Sequence, residues 1–158
     1  FKRQIFFVQM GGWDMHGELL DSHERKLGVV DNALQEFHDG LQEIDMFNCV
    51  TTFTISDFGR TLTSNGNGSD HAWGGNALVM GGDINGGDMY GTFPSLALGS
   101  AYEVHNGVLI PTTSNDQYFA ELALWFGVSP GDLSTLFPNI GNFYDTGTGS
   151  PPLGFMNI

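Results

Sequence analysis

Val50-Thr51-Thr52-Phe53-Thr54-Ile55 is a run of β-branched and aromatic residues, and over 49–56 it predicts a buried strand. The residues before it carry a helical pattern. Leu27, Val30, Leu34, Phe37, Leu41 and Ile44 recur at steps of 3, 4, 3, 4 and 3, which puts them on one stripe of a helix over about 21–46. Further upstream, Ile5-Phe6-Phe7-Val8 is a short continuous apolar run, the pattern of a strand over 4–10 covered on both faces. Strand, helix and strand with a crossover of this length predict a parallel βαβ unit. The expected fold class is therefore α/β, with a mostly parallel sheet flanked by helices.

Downstream the pattern is less regular. Residues 59–75 hold few apolar side chains, and Ser64-Asn65-Gly66-Asn67-Gly68-Ser69 is turn chemistry throughout, so a loop is expected there. Residues 76–80 predict a third strand, closed by Gly81-Gly82. Ser114, with Gln117 three residues on, predicts a capping box that opens a second helix. Its buried side is Tyr118, Leu122, Trp125 and Phe126, and Gly127 ends it. Ser129-Pro130 predicts a last short helix. The Gly, Pro, Asn and Thr content of 141–158 predicts a loose tail after a domain over 1–140.

Composition bounds the function. The chain has 158 residues, enough for one domain, with 18 Asp and Glu against 5 Lys and Arg and a net charge of −13. Such a chain repels nucleic-acid phosphates and anionic lipid, so neither is an expected partner. Acidity suits cation binding as well as plain solubility. The single cysteine, Cys49, excludes a disulfide within the chain and a Cys-based metal site, and is expected to be a small buried hydrophobe. No run approaches the roughly 18 apolar residues of a membrane span. The sequence opens directly in strand-like residues without an initiator Met, which reads as the carboxyl-terminal part of a longer protein.

Three polar clusters carry the chemistry. Gly11-Gly12-Trp13-Asp14-Met15-His16-Gly17 follows the first expected strand, Ser56-Asp57-Phe58-Gly59-Arg60-Thr61 follows the second, and Asp70-His71-Ala72-Trp73-Gly74-Gly75 precedes the third. In open α/β sheets ligands bind outside the carboxyl ends of strands, and carboxylate and imidazole are the donors divalent metals use. Asp14 and His16 project to the same side of an extended chain and could reach one metal; a capped turn with a solvated His is the alternative. His23 is a further candidate donor or a surface residue. Asp57 either ligates or caps the next turn. Arg60 either pairs with Asp57 or presents its planar fork to a phosphate or sulfate. Asp70 and His71 are adjacent, so one could ligate while the other orients a neighbour. The candidate metal ligands are therefore Asp14, His16, Asp57, Asp70 and His71, and the candidate catalytic residue is Arg60. His38 reads as plain surface.

In this order and spacing, the three clusters resemble the DUF1501 family over about residues 4–140, as do Leu109-Ile110-Pro111-Thr112-Thr113-Ser114 and Asp116-Gln117-Tyr118. That family looks similar to the alkaline phosphatase and sulfatase superfamily. The resemblance implies an alkaline phosphatase-like fold, of which this chain is an incomplete part, and metal-dependent hydrolysis of a phosphate or sulfate ester. The implied cofactor is a divalent metal: zinc, calcium or manganese. By position Asp14 and His16 resemble one ligand pair and His71 the last His ligand. Asp57 resembles the Asp of an Asp-His-Gly motif in which Phe58 replaces the His. The resemblance also implies a small anionic ester as substrate, a nucleophile carried by an amino-terminal half of the same protein, and a periplasmic or secreted location. The alternative is a non-catalytic exported binding or surface protein that retains the fold.

Overall fold

The computed structural model describes residues 2–158. The long helix α1 runs over Leu19–Glu43, where the apolar stripe predicts it. It stands on the outside of the molecule: Leu41 is its one buried residue, and Leu27 and Phe37 remain 45% and 46% exposed. A 3-10 turn at Phe47–Cys49 leads into β1, Thr51–Phe53, and leaves Cys49 exposed rather than buried. Then come β2 (Gly59–Ser64), β3 (Ser69–Ala72), β4 (Val79–Gly81), β5 (Glu103–His105) and β6 (Val108–Leu109). Two helices follow, α2 (Asn115–Trp125) and the short α3 (Leu133–Leu136).

The strands make three separate two-stranded antiparallel sheets, β1 with β4, β2 with β3 and β5 with β6. This corrects the expected mostly parallel, helix-flanked, alkaline phosphatase-like sheet. The parallel unit depended on a strand at 4–10, and none forms there among the described residues. Ile5, Phe6, Phe7 and Val8 are 78%, 82%, 73% and 90% exposed. A strand exists only against the N–H and C=O groups of a neighbour, and apolar character alone supplies none. The direction of β1 is likewise set by its partner. The chain leaves β1, turns through the β2–β3 hairpin and returns as β4, pairing Thr51 with Gly81, Thr52 with Met80 and Phe53 with Val79. Gly81 permits this approach, because a Cβ there would lie 2.7 Å from the Val50 carbonyl oxygen.

The loop expected over 59–75 is instead mostly this hairpin. Its turn is built by the polar residues that suggested a loop: Ser64 Oγ accepts from Gly66 N at 3.0 Å, and Asn65 Oδ1 accepts from Gly68 N at 2.9 Å. Gly59 pairs with Ala72, and a Cβ on Gly59 would sit 1.7 Å from the Gly74 oxygen, so only glycine fits.

The core gathers around α2. Ser114 caps it through the reciprocal box with Gln117 that the sequence predicts. One side of α2 packs Ala120 with Leu133 and Ile140, and another packs Leu122 with Phe155 and Met156. Segment 141–158, expected to be loose, is thus moored near its end. Glu121, fully buried, accepts hydrogen bonds from the backbone N–H groups of Leu153 (2.5 Å), Gly154 (2.8 Å) and Met156 (2.7 Å). Three such donors satisfy a carboxylate that would otherwise be costly to bury.

Candidate metal centre

Three of the candidate ligands converge: Asp14, His16 and His71. Met15, only 5% exposed, is the anchor of the first pair, and its two neighbours turn outward together. His71 comes from β3, directly across from Arg60 of β2. The hairpin turn docks on the first segment, with Asn65 Nδ2 donating to the His16 carbonyl at 3.3 Å and Leu19 N donating to the Asn67 carbonyl at 3.2 Å. Gly68 lies so close to this segment that a Cβ would meet the His16 carbonyl carbon at 2.4 Å.

Asp14 Oδ1 lies 2.9 Å from His16 Nε2 and 2.7 Å from His71 Nε2, and the two Nε2 atoms are 3.2 Å apart. Two ligands of a tetrahedral zinc, each about 2.0–2.1 Å from the metal, stand about 3.3–3.4 Å from one another. From separations of 2.7, 2.9 and 3.2 Å, the three donors therefore need to spread by about 0.1–0.7 Å to receive such an ion. About half of each of these side chains is exposed, which leaves room for further ligands.

Each donor has its own support. Asp70 Oδ1 lies 3.2 Å from His16 Nδ1 and accepts from Asn65 Nδ2 at 3.0 Å. Asp70 is therefore on the far side of the imidazole, where a carboxylate orients a metal-binding histidine rather than ligating itself. With His16 Nδ1 donating to Asp70, its Nε2 lone pair faces the Asp14 oxygen and the His71 ring. One carboxylate oxygen and two ring nitrogens then meet at one point, where a proton shared with Asp14 or a cation can hold them together. Phe58 stacks on His71 with centroids 4.0 Å apart and planes at 18°. This is what Phe58 does at the position where a His was expected. Arg60 Nη2 reaches Asp14 Oδ1 at 3.2 Å and the Trp13 carbonyl at 2.9 Å, while Nη1 reaches the Ser69 carbonyl at 2.8 Å.

The electrostatics follow from these contacts. The hydrogen bond from His71, with the charges of His16, His71 and Arg60 behind it, holds the Asp14 carboxyl below its ordinary 3.8. Asp70 is lowered from the same value by its hydrogen bonds from Asn65 and then His16. Both carboxylates are therefore ionised across the neutral range.

The other candidates lie elsewhere. Asp57 is exposed and forms no ion pair among the described residues. His23 packs edge-on against Trp13 at 5.8 Å, and His38 pairs with Asp39 at 2.9 Å on α1. Sequence reasoning missed Asn65 and Met15. Asn65 sat in a stretch read only as turn, and nothing local marks Met15 as an anchor.

The donor chemistry narrows the ion the site could hold. Two imidazoles and one carboxylate suit zinc or another transition metal, whereas calcium takes six to eight oxygens. Among the described residues no helix is long and apolar enough to cross a membrane.

The family described as "Protein of unknown function (DUF1501)" matches residues 2–134. The chain belongs to the DUF1501 family. The match takes in all three polar clusters and so every residue of the centre. No curated protein and no solved structure matches this DUF1501 chain.

Proposed function

We propose that this DUF1501 chain binds one divalent transition metal, zinc or manganese, through Asp14, His16 and His71, and takes part in hydrolysis of a small phosphate or sulfate ester. The observation that carries the reading is the convergence of one carboxylate oxygen and two imidazole nitrogens within 3.2 Å of one another. Three protein donors with open positions beside them are the pattern of catalytic rather than structural metal sites. When bound, the metal supplies Lewis-acid polarisation of the ester and a nucleophile at neutral pH. Asp70 holds the His16 ring, Phe58 holds the His71 ring, and the half-exposed face admits a small anion.

One observation favours a second reading. The Arg60 guanidinium, expected as an anion clamp, is turned onto Asp14 and two backbone carbonyls, with its side chain 20% exposed. A metal-holding exported protein without ester chemistry fits that engagement. In either reading the periplasmic or secreted location belongs to the proposal.

Equilibrium dialysis with zinc, manganese and calcium, followed by turnover of a nitrophenyl phosphate and a nitrophenyl sulfate, tests both. The expected result is one zinc or manganese per chain, weakened at least about tenfold in Asp14→Ala, His16→Ala and His71→Ala and unchanged in Asp57→Ala. Absence of tight binding, or equal loss in Asp57→Ala, would sink the metal reading. Stoichiometric metal without turnover would favour the non-catalytic protein.

A further inference from the structure

Arg60 sits between the two chain segments that supply the donors. It lies opposite His71 in the β2–β3 register, so the two side chains share one face of the hairpin. Phe58, two residues earlier, stacks on His71, and the Arg60 guanidinium carbon lies 5.4 Å from the Phe58 ring centroid. Beyond that ring the guanidinium bonds three acceptors: the Ser69 carbonyl, the Trp13 carbonyl and Asp14 Oδ1. Ser69 begins the strand that carries His71, and Trp13 precedes Asp14. The two chain segments that supply the donors are 57 residues apart between Asp14 and His71. One planar fork therefore ties both of them together and also holds the carboxylate of the first.

We infer that Arg60 is the positioning residue of this centre: it assembles the Asp14, His16 and His71 donors before any ion arrives, and it is not a substrate anion clamp. The inference rests on the metal reading above. The chemistry needs arginine. Its five donors lie in a fixed plane and can serve three acceptors on two segments at once, whereas an ammonium is a single point that cannot span them. An arginine spent in this way has little left for an incoming anion. Without it, Met15 and His16 would still be docked on the hairpin turn, but the Asp14 carboxylate would be placed only by its contacts with the two imidazoles, and each metal-binding event would first have to fix it.

Cobalt(II) titration followed by visible absorption reads both affinity and donor set. In Arg60→Met the affinity should fall about 10–100-fold, the usual cost of losing an outer partner of a metal ligand, while the band positions of the bound ion stay those of the wild type. Arg60→Lys should recover part of the loss. A role confined to hairpin stability would lower the melting temperature of the metal-free protein but leave cobalt affinity of the folded fraction unchanged. Arg60→Met binding cobalt within about threefold of wild type overturns the inference, and so does a shifted band pattern, which would mean a changed donor set. Wild-type protein that takes up no cobalt overturns the metal reading itself and this inference with it, and the two failures are told apart by that control.

Discussion

Replacing Glu121 by Ala should release the carboxyl-terminal segment. Glu121 is fully buried and its two oxygens take the N–H groups of Leu153, Gly154 and Met156. Removing the carboxylate leaves three donors unsatisfied, that of Met156 buried and those of Leu153 and Gly154 half-buried, each costing up to about 1–3 kcal/mol. The sum cannot exceed what holds the segment down, because beyond that point the segment detaches and its donors meet water. Its apolar hold is Phe155 and Met156, 3% and 2% exposed. At about 1.5–3 kcal/mol each, they set a ceiling of about 3–6 kcal/mol. A loss of about 3–5 kcal/mol is therefore expected, equivalent to a fall in melting temperature of about 6–20 °C.

Glu121→Gln keeps the shape but turns an NH2 group toward one of the donors, and should lose about half as much. Urea unfolding followed by tryptophan fluorescence suits the measurement, since Trp125 Nε1 donates to Asp83 Oδ2 at 2.9 Å beside the same segment. Hydrogen exchange over 153–157 should rise to the rate of an unprotected chain. Truncation after residue 152 supplies a control: in that background Glu121→Ala should cost little, its partners having gone. Retained protection of 153–156, together with a loss below about 1 kcal/mol in Glu121→Ala, would refute the reasoning.

Gly68→Ala should push the hairpin turn off the 15–16 backbone, since the new Cβ would meet the His16 carbonyl carbon at 2.4 Å and the Met15 oxygen at 2.6 Å. Zinc affinity should fall at least about tenfold and the Met15 methyl NMR signal should shift, while Gly75→Ala, with nothing within 4 Å of its Cβ, should change neither. Burial pushes the Tyr118 phenol up from 10.0 to about 12. Its neutral form is the one that the fold favours, so this contribution to stability is complete below about pH 10 and is lost as pH rises through about 12. Absorbance at the phenolate band should show one of the four tyrosines silent until then, and Tyr118→Phe should abolish that part of the alkaline loss.

What the sequence discloses is what is local. The stripe of α1 and the Ser114–Gln117 box of α2 are settled by residues three or four apart, and both helices stand where those signals put them. Strand direction is not local. The run at 50–55 contains β1, but whether it pairs parallel or antiparallel depends on which edge reaches it, and that edge is Val79–Gly81 returning from the hairpin. The apolar run at 5–8 carries the same limit: its composition states a need for cover without naming the cover. The donors Asp14, His16 and His71 are legible as residue types, because imidazole is scarce, five residues in the chain, and two of the five stand within two residues of an Asp in the Gly-rich segments. Their supports are not legible. Arg60 meets Asp14 across 46 residues, and Glu121, flanked by Ala120 and Leu122, reads from its sequence as one more solvated helix acid.

The position of the centre along the chain has a consequence for folding. His16 and His71 are separated by 55 residues, and α1 and β1 lie wholly within that span. A metal held between them would be a cross-link that closes a loop. By the chain-entropy relation used for disulfides, a closure of this length removes about 4 kcal/mol of freedom from the unfolded chain. The loop it closes contains the least embedded element of the molecule, a 25-residue helix with a single buried side chain. For α1, whose own packing is sparse, the ion would serve as a clasp on the polypeptide, fixing the chain just before the helix to the hairpin that follows it.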